Sequence, residues 1–243
     1  MASYSVEFIA SHSDNNKVCT CSGIHAIITS YKPTLQYRLS VVYAPDTNLS
    51  IQQTPIGAII TGYNVTLTCT VAGGNPLATL SWNCTGSTTN NTSGNTASYS
   101  VELTVDNAYN NIMCTCSGTH PITSYRPTTH HRFAVYYSPD TSLNIQQTPA
   151  GAIFTGNTVV LTCTVSGGNP LATSSWNCTG NTTNNTSGNT ASYSIETTVN
   201  NTYNGRICTC SGTHPVTSYR PTVHHRLTVY WGPILNEGVL SSP

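Results

Sequence analysis

The sequence predicts an all-β chain of tandem sandwiches. Three observations carry that expectation: apolar and polar residues alternate at a period of two, ten cysteines recur at fixed spacings, and long stretches repeat at an interval of about 94 residues. IQQTPIGAIITG at Ile51 returns as IQQTPAGAIFTG at Ile145, GGNPLAT at Gly73 returns at Gly167, SWNCTG at Ser81 returns at Ser175, and NNTSGNTASYS at Asn90 returns at Asn184. That interval fits one small β-sandwich rather than a solenoid unit.

The opening stretch matches only the second part of a repeat. ASYSVE at Ala2 matches Ala97 onward, CTCSGIH at Cys19 matches CTCSGTH at Cys114, and SVVYAPDTNLSIQQTP matches AVYYSPDTSLNIQQTP. The expected organisation is therefore a C-terminal half-repeat over 1–47, complete repeats over 48–140 and 141–233, and a tail over 234–243. A half-repeat by itself would expose an apolar face and open edges, so its missing half is expected from a neighbouring copy or from further sequence.

Within a repeat the elements follow from alternation. In NTVVLTCTVSGG, Val159, Leu161, Cys163 and Val165 fall on one face, and Thr158, Val160, Thr162 and Thr164 on the other, as in a half-buried strand. GGNPLA is a Gly/Pro turn. In SSWNC, Trp176 and Cys178 share a face opposite Asn177. A sequon-bearing loop then leads to ASYSIETTV, alternating through Tyr193, Ile195, Thr197 and Val199. RICTCS and HHRLTVYW follow, the last placing Leu227, Val229 and Trp231 on one face. No amphipathic helical window appears.

The order Cys163, Trp176, Cys210, repeated as Cys69, Trp82, Cys116, resembles an immunoglobulin domain: a strand B cysteine, a strand C tryptophan and a strand F cysteine. The resemblance implies tandem immunoglobulin-like sandwiches over nearly the whole chain, with the half-repeat supplying strands E, F and G. One departure is informative. The family's tyrosine two residues before the strand F cysteine is replaced by Cys114 or Cys208, while Cys84 or Cys178 lies two residues after each tryptophan. Because strands C and F are neighbours in such a sandwich, the resemblance implies two disulfides per domain: Cys69 with Cys116 and Cys84 with Cys114, then Cys163 with Cys210 and Cys178 with Cys208. Four cysteines allow three connectivities, and sequence leaves the others open. Cys19 and Cys21 have no counterpart partners within 1–47 and are expected to bond outside it.

Composition sets the compartment and narrows the partners. Charged residues are 7% of the chain with zero net charge, so a nucleic acid or anionic membrane meets no electrostatic footprint. Ser and Thr make up about 28% of residues, a neutral hydroxyl surface in place of charge. The cysteines read as a disulfide framework in an oxidising compartment, hence an extracellular or secreted protein. A zinc reading of the Cys-x-Cys pairs is weaker, because the second half of such a site is missing. No run of 18 apolar residues predicts a membrane span, and MASYSVEFIA does not read as a signal peptide, so a segment of a longer precursor is expected.

Sequons occur at Asn48, Asn64, Asn83, Asn90, Asn91, Asn177, Asn181, Asn184, Asn185 and Asn200. Strand parity turns Asn83 and Asn177 outward, and the Asn90 and Asn184 clusters are expected in a loop. N-linked glycans, joined by O-linked ones on strings such as GNTTNNTSGNT, would hydrate the surface; no other cofactor is expected. The pairs His130/His131 and His224/His225 face opposite sides of a strand and cannot chelate one ion alone, with His120 and His214 as the only added ligands in reach, so no metal is expected. Glu7, Glu102 and Glu196 share one repeated strand position. No nucleophile elbow, carboxylate pair or phosphate loop is present, so no enzyme is expected.

These readings point to a structural or adhesive glycoprotein assembling head to tail into a fibre, with a short connection over Ser138 to Asn144 favouring a stiff rod. Ile234, Leu235, Val239 and Leu240 of the tail are candidates for strand donation to another copy. The rival is a recognition module for a protein or glycan ligand, with Tyr125, Arg126, Tyr219 and Arg220 as the candidate contact surface.

Overall fold

A computed structural model of the chain describes residues 3–28 and 30–232. The tail residues proposed for strand donation lie outside them. Apart from three one-turn 3-10 helices, at His12–Asp14, Asn107–Tyr109 and Asn201–Tyr203, the regular elements among the described residues are strands. The chain divides into two compact units, Met1–Ala134 and Val135–Pro243.

The first unit holds β1 (Val18–Ser22), β2 (Thr34–Arg38), β3 (Ser50–Thr54), β4 (Ile59–Ile60), β5 (Asn64–Ala72), β6 (Thr79–Trp82), β7 (Ser87–Asn90), β8 (Thr96–Thr104), β9 (Met113–Thr119) and β10 (Thr128–Arg132). Two sheets form its sandwich, one in the order β3-β5-β8-β7 and one in the order β10-β9-β6. The alternation read from sequence sets which face is covered: Val65, Leu67, Cys69 and Val71 of β5 are buried, and their neighbours Thr66, Thr68 and Thr70 line the outer face. Register places Cys69 opposite Tyr99 and Val65 opposite Leu103. Trp82 packs between the sheets, its indole N–H donating to the Tyr99 carbonyl at 3.0 Å.

The second unit repeats this plan with β11 (Val135–Tyr136), β12 (Asn144–Thr148), β13 (Ile153–Phe154), β14 (Thr158–Ser166), β15 (Thr173–Trp176), β16 (Asn181–Ser187), β17 (Thr190–Thr198), β18 (Ile207–Thr213), β19 (Thr222–Arg226) and β20 (Val229–Tyr230). Its sheets run β12-β14-β17-β16 and β15-β18-β19, and β13 pairs parallel with β20. The core gathers Val159, Leu161, Ile195, Leu227 and Val229 around the cysteines, with Trp176 against them.

Three details depart from the sequence reading. The sequon-bearing segments are edge strands, β7 and β16, rather than loops: their Asn- and Thr-rich backbones pair with β8 and β17, and polar side chains suit a strand that faces water. Leu227 and Val229 are buried, but Trp231, expected on their face, is 60% exposed because the strand breaks after Arg226 and resumes for only two residues. In the half-repeat, β1 and β2 form the expected F–G hairpin, but Ser3–Ala10, read as strand E, forms none. Its counterpart β8 is hydrogen-bonded on both edges, to β5 and β7, and no such flanking strands stand beside Ser3–Ala10. Strand E depends on pairing that its own sequence cannot supply.

Successive repeats are joined by one device that occurs in each unit. Tyr43 and Asn75 exchange backbone hydrogen bonds at 3.1 and 2.9 Å, and the Asn75 amide donates to the Val41 carbonyl at 2.7 Å. Tyr137, Asn169 and Val135 do the same in the second unit. Gly74 and Gly168, both at positive φ, let the chain lie against Pro45 and Pro139; a Cβ at Gly168 would come within about 3.0 Å of the Pro139 nitrogen.

Gly86 and Gly180 mark where the chain crosses onto the edge strand. A Cβ at Gly180 would overlap the Glu196 carbonyl oxygen of β17. Gly180→Ala is expected to destabilise the second unit by about 1–3 kcal/mol, read as a lower Tm in thermal unfolding followed by circular dichroism; an unchanged Tm would refute the close approach.

Candidate functional site

The structure brings eight of the ten cysteines together in pairs. Cys69 joins Cys116 across the sheets and Cys84 joins Cys114 between adjacent strands, with Cα separations of 6.4 and 5.6 Å; Cys163–Cys210 and Cys178–Cys208 repeat this at 6.5 and 5.4 Å. Cys19 and Cys21 are unbonded and exposed. They occupy the places of Cys114 and Cys116, both of which have zero exposure.

Around these two thiols lies an apolar groove of about 390 Å³ lined by Tyr4, Val6, Leu35 and Tyr37. Across the hairpin Cys19 faces Tyr37 and Cys21 faces Leu35. Leu35 is 74% and Tyr37 68% exposed, and every residue of β1 and β2 is exposed.

The histidines divide into two sets. His130 bonds Thr115 Oγ1 at 2.9 Å while His131, on the other face, bonds Gln53 Oε1 at 2.8 Å; His224 and His225 do the same with Thr209 and Gln147. Among the described residues no three His, Cys, Asp or Glu side chains gather as a metal-ligating group. His120 and His214 are fully buried, which sequence reasoning missed. Their Nδ1 atoms accept backbone N–H groups from Thr123 (3.1 Å) and Thr217 (3.0 Å), which leaves Nε2–H to donate to the carbonyls of Pro76 (2.9 Å) and Pro170 (2.8 Å). The signal was present in the identical Thr-His-Pro turn of both repeats.

Arg126 and Arg220 are exposed and Tyr125 and Tyr219 half-buried, and all four also hold their own loops. The Tyr125 hydroxyl donates to the Thr47 carbonyl at 3.0 Å, and Tyr219 to Thr141 at 2.9 Å; burial raises both phenol pKa values above 10.0. Arg126 Nη1 donates to the carbonyls of His120, Thr123 and Tyr125, and Arg220 repeats the set with His214, Thr217 and Tyr219. These guanidinium groups tie the F–G turn together, a role hidden in sequence because it depends on where the turn carbonyls converge.

All ten sequon asparagines are exposed. Asn83 and Asn177 each accept a backbone N–H at 2.7 Å, from Thr115 and Thr209, and Asn200 accepts from Thr202 at 3.0 Å. On β16 the register puts Asn181 and Asn185 opposite Glu196 and Ser192, on the outer face, and Asn184 opposite Tyr193, on the inner-face side. In the first unit Asn90 lies opposite Tyr99 and lines a groove with Leu77 and Tyr99, leaving the outer direction to Asn91. Neutral hydroxyls cover the outer sheet face and bond one another, as Thr68 with Ser100 and Thr162 with Ser194, both at 2.9 Å.

No protein-family model matches the sequence, and no curated protein matches it. Among solved structures, the chain resembles the full ectodomain (Ig1–Ig3) of mouse nectin-like molecule 4, with a TM-score of 0.50 and 20% identity over 86% of this chain and 72% of that one. It also resembles the D1–D2 pair of Rst, with a TM-score of 0.54 and 17% identity over 76% of this chain and 100% of that one. The fold is thus that of tandem immunoglobulin domains.

Two measurements test the buried and half-buried histidines. His214→Ala leaves the Thr217 N–H and the Pro170 carbonyl without their partner, and is expected to cost about 2–4 kcal/mol in urea unfolding with the disulfides intact; a loss under about 0.5 kcal/mol would contradict the bonding described. Burial lowers the His131 pKa below 6.5. The unfolded chain therefore takes up this proton at a higher pH than the folded one, so the stability it confers is present above about pH 6.5 and falls as the pH drops toward the folded value. A His131 ring resonance titrating at or above 6.5 by NMR would reverse that sign.

Proposed function

We propose that this chain is a non-enzymatic extracellular glycoprotein whose immunoglobulin-like modules serve structure and adhesion, assembling head to tail into a glycan-coated fibre. The observation that carries the reading is the repetition of one bridged sandwich, with the same two disulfides in each complete repeat and the same backbone joint at Tyr43–Asn75 and Tyr137–Asn169. Four disulfides fit an oxidising compartment. The repeated register of Glu102 and Glu196, opposite Thr66 and Val160 on the outer sheet face, speaks for architecture rather than catalysis.

Sugar takes the place of charge in this reading. N-linked chains stand on the outer sides of β7 and β16, where they also shield two open sheet edges, and O-linked chains add to the Thr-rich stretches. The second reading is recognition of a protein or glycan ligand, with Arg126 and Arg220, exposed and fixed in direction by the turn carbonyls, as its candidate surface.

Assembly is tested by light scattering and negative-stain microscopy of the oxidised protein over a concentration series. Linear multimers are expected, and a monomer at every concentration would sink the fibre reading. Occupancy is tested on protein secreted from a eukaryotic host, by enzymatic deglycosylation in heavy-oxygen water and peptide mapping. Label is expected at Asn91 and Asn185 over their neighbours Asn90 and Asn184; the reverse preference would defeat the assignment by strand face.

A further inference from the structure

Each complete repeat carries a side groove, and the two are lined alike. The groove of the first unit holds about 420 Å³, and Ile51, Gln52, Gln53, Ile56, His131 and Arg132 are among its walls. That of the second holds about 490 Å³, with Ile145, Gln146, Gln147, Ala150, His225 and Arg226 in the matching places. Each lies between two edge strands, β3 and β10 in one unit and β12 and β19 in the other. Among the described residues no Asp or Glu lines either groove.

The repeated Gln-Thr-Pro-x-Gly stretch builds the wall. Gln53 Nε2 donates to the carbonyls of Pro55 and Gly57, both at 2.6 Å, which turns its Oε1 toward His131. The ring answers through Nε2–H at 2.8 Å, so β3 and β10 are tied side chain to side chain. Gln147 and His225 repeat the arrangement with Pro149 and Gly151. The groove is therefore formed before any ligand arrives. Charge sets it apart from the rest of the surface. The chain has eight Lys and Arg residues in all. Arg126 and Arg220 are taken up by turn carbonyls, Lys17 pairs with Asp14, and Arg206 lies over the Tyr203 ring. Arg132 and Arg226 are exposed, and among the described residues neither guanidinium has a hydrogen bond or an ion pair.

We infer that each groove is a binding site for a carboxylate-bearing sugar. The guanidinium of Arg132 or Arg226 takes the carboxylate in its fork. The exposed Gln52 or Gln146 carboxamide meets ring hydroxyls, and Ile51 or Ile145 meets the apolar face of the ring. A partly apolar groove of this volume with a few orienting polar groups matches a small-ligand site. Length decides between sugar and peptide. The strand walls are Ile51–Gln53 on one side and His131–Arg132 on the other, about 10 Å at the rise of a strand. That seats a sugar and is too short for the run of main-chain bonds by which an extended peptide adds to a sheet edge. Two such sites on one chain favour a polymer or a surface that repeats its carboxylates. The inference stands apart from the assembly reading, since it concerns sugar on other molecules and not contact between copies.

The test is an NMR titration of the full chain with its four bridges intact, read at the Arg132 and Arg226 Nε–H groups and the His131 and His225 rings. The probes are glucuronic acid and N-acetylneuraminic acid, and the one that binds identifies the source of the carboxylate. Glucose, the methyl ester of the binding acid, and acetate are expected to bind about tenfold more weakly or worse, as befits the loss of a hydrogen bond to a charged group or of the ring contacts. Arg132→Gln is expected to silence the first groove and leave the response of the second, which serves as the internal control for folding. Its Tm should stay that of the parent, because the guanidinium holds nothing in the fold. No response to either acid, an equal response to glucose or to acetate, or binding that survives in the Arg132→Gln/Arg226→Gln chain would each overturn the inference. Multimer formation is scored separately and bears on the assembly reading alone.

Discussion

The paired bridges onto β9 and β18 are the constraint on which each sandwich rests. The inter-sheet bond Cys69–Cys116 spans 47 residues and Cys84–Cys114 spans 30, nested inside it. Loop closure alone assigns the outer bond about 4 kcal/mol, and the inner adds less than it would in isolation because the outer has already restricted the same segment. What the pair does beyond entropy is to fix two strands against a third at adjacent inward positions, so that sheet spacing and strand register are set together. Trp82 then has a defined slot beside the bridge, and its indole N–H reaches the Tyr99 carbonyl across the core. An apolar core drawn from few large side chains can be well ordered when covalent bonds decide its geometry.

The surface solves a different problem with neutral groups. With few charges available, hydroxyls on neighbouring strands bond one another in cross-strand pairs, Ser50 with Thr70 at 2.7 Å and Thr68 with Ser100 at 2.9 Å. Such pairs hold a sheet face at a few tenths of a kcal/mol each. They also reduce the hydrogen-bonding capacity left for water, which makes the outward asparagines, Asn91 just after β7 and Asn181 and Asn185 on β16, the natural place to restore hydration. The same asparagines lie on edge strands, where bulk and polarity keep the unpaired backbone from meeting another sheet.

Much of this could be read along the chain, and the failures share a cause. Alternation is local, so the inward set Val159, Leu161, Cys163 and Val165 was visible from spacing alone. The edge position of β16 is not local: NTTNNTS has loop composition, and it becomes a strand because β17 lies beside it. Strand E of the half-repeat fails for the complementary reason, since SYSVE is strand-like in itself and finds no neighbour among the described residues. His120 and Arg126 carry polar letters that ordinarily mean surface. His120 turns inward and Arg126, though exposed, folds back on its own turn, because a tight turn concentrates carbonyls and N–H groups that such side chains satisfy, and composition does not record where carbonyls converge.

The joint between repeats shows how a module of this kind can be reused. It is made chiefly by backbone groups, with Tyr43 and Asn75 exchanging N–H···O bonds, and by glycines that admit a proline ring at close range. Side-chain identity at the aromatic position therefore matters little, and the same joint recurs between Tyr137 and Asn169. The bond from Asn75 to Val41 anchors the half-repeat through the end of its last strand, outside the thiol-bearing face.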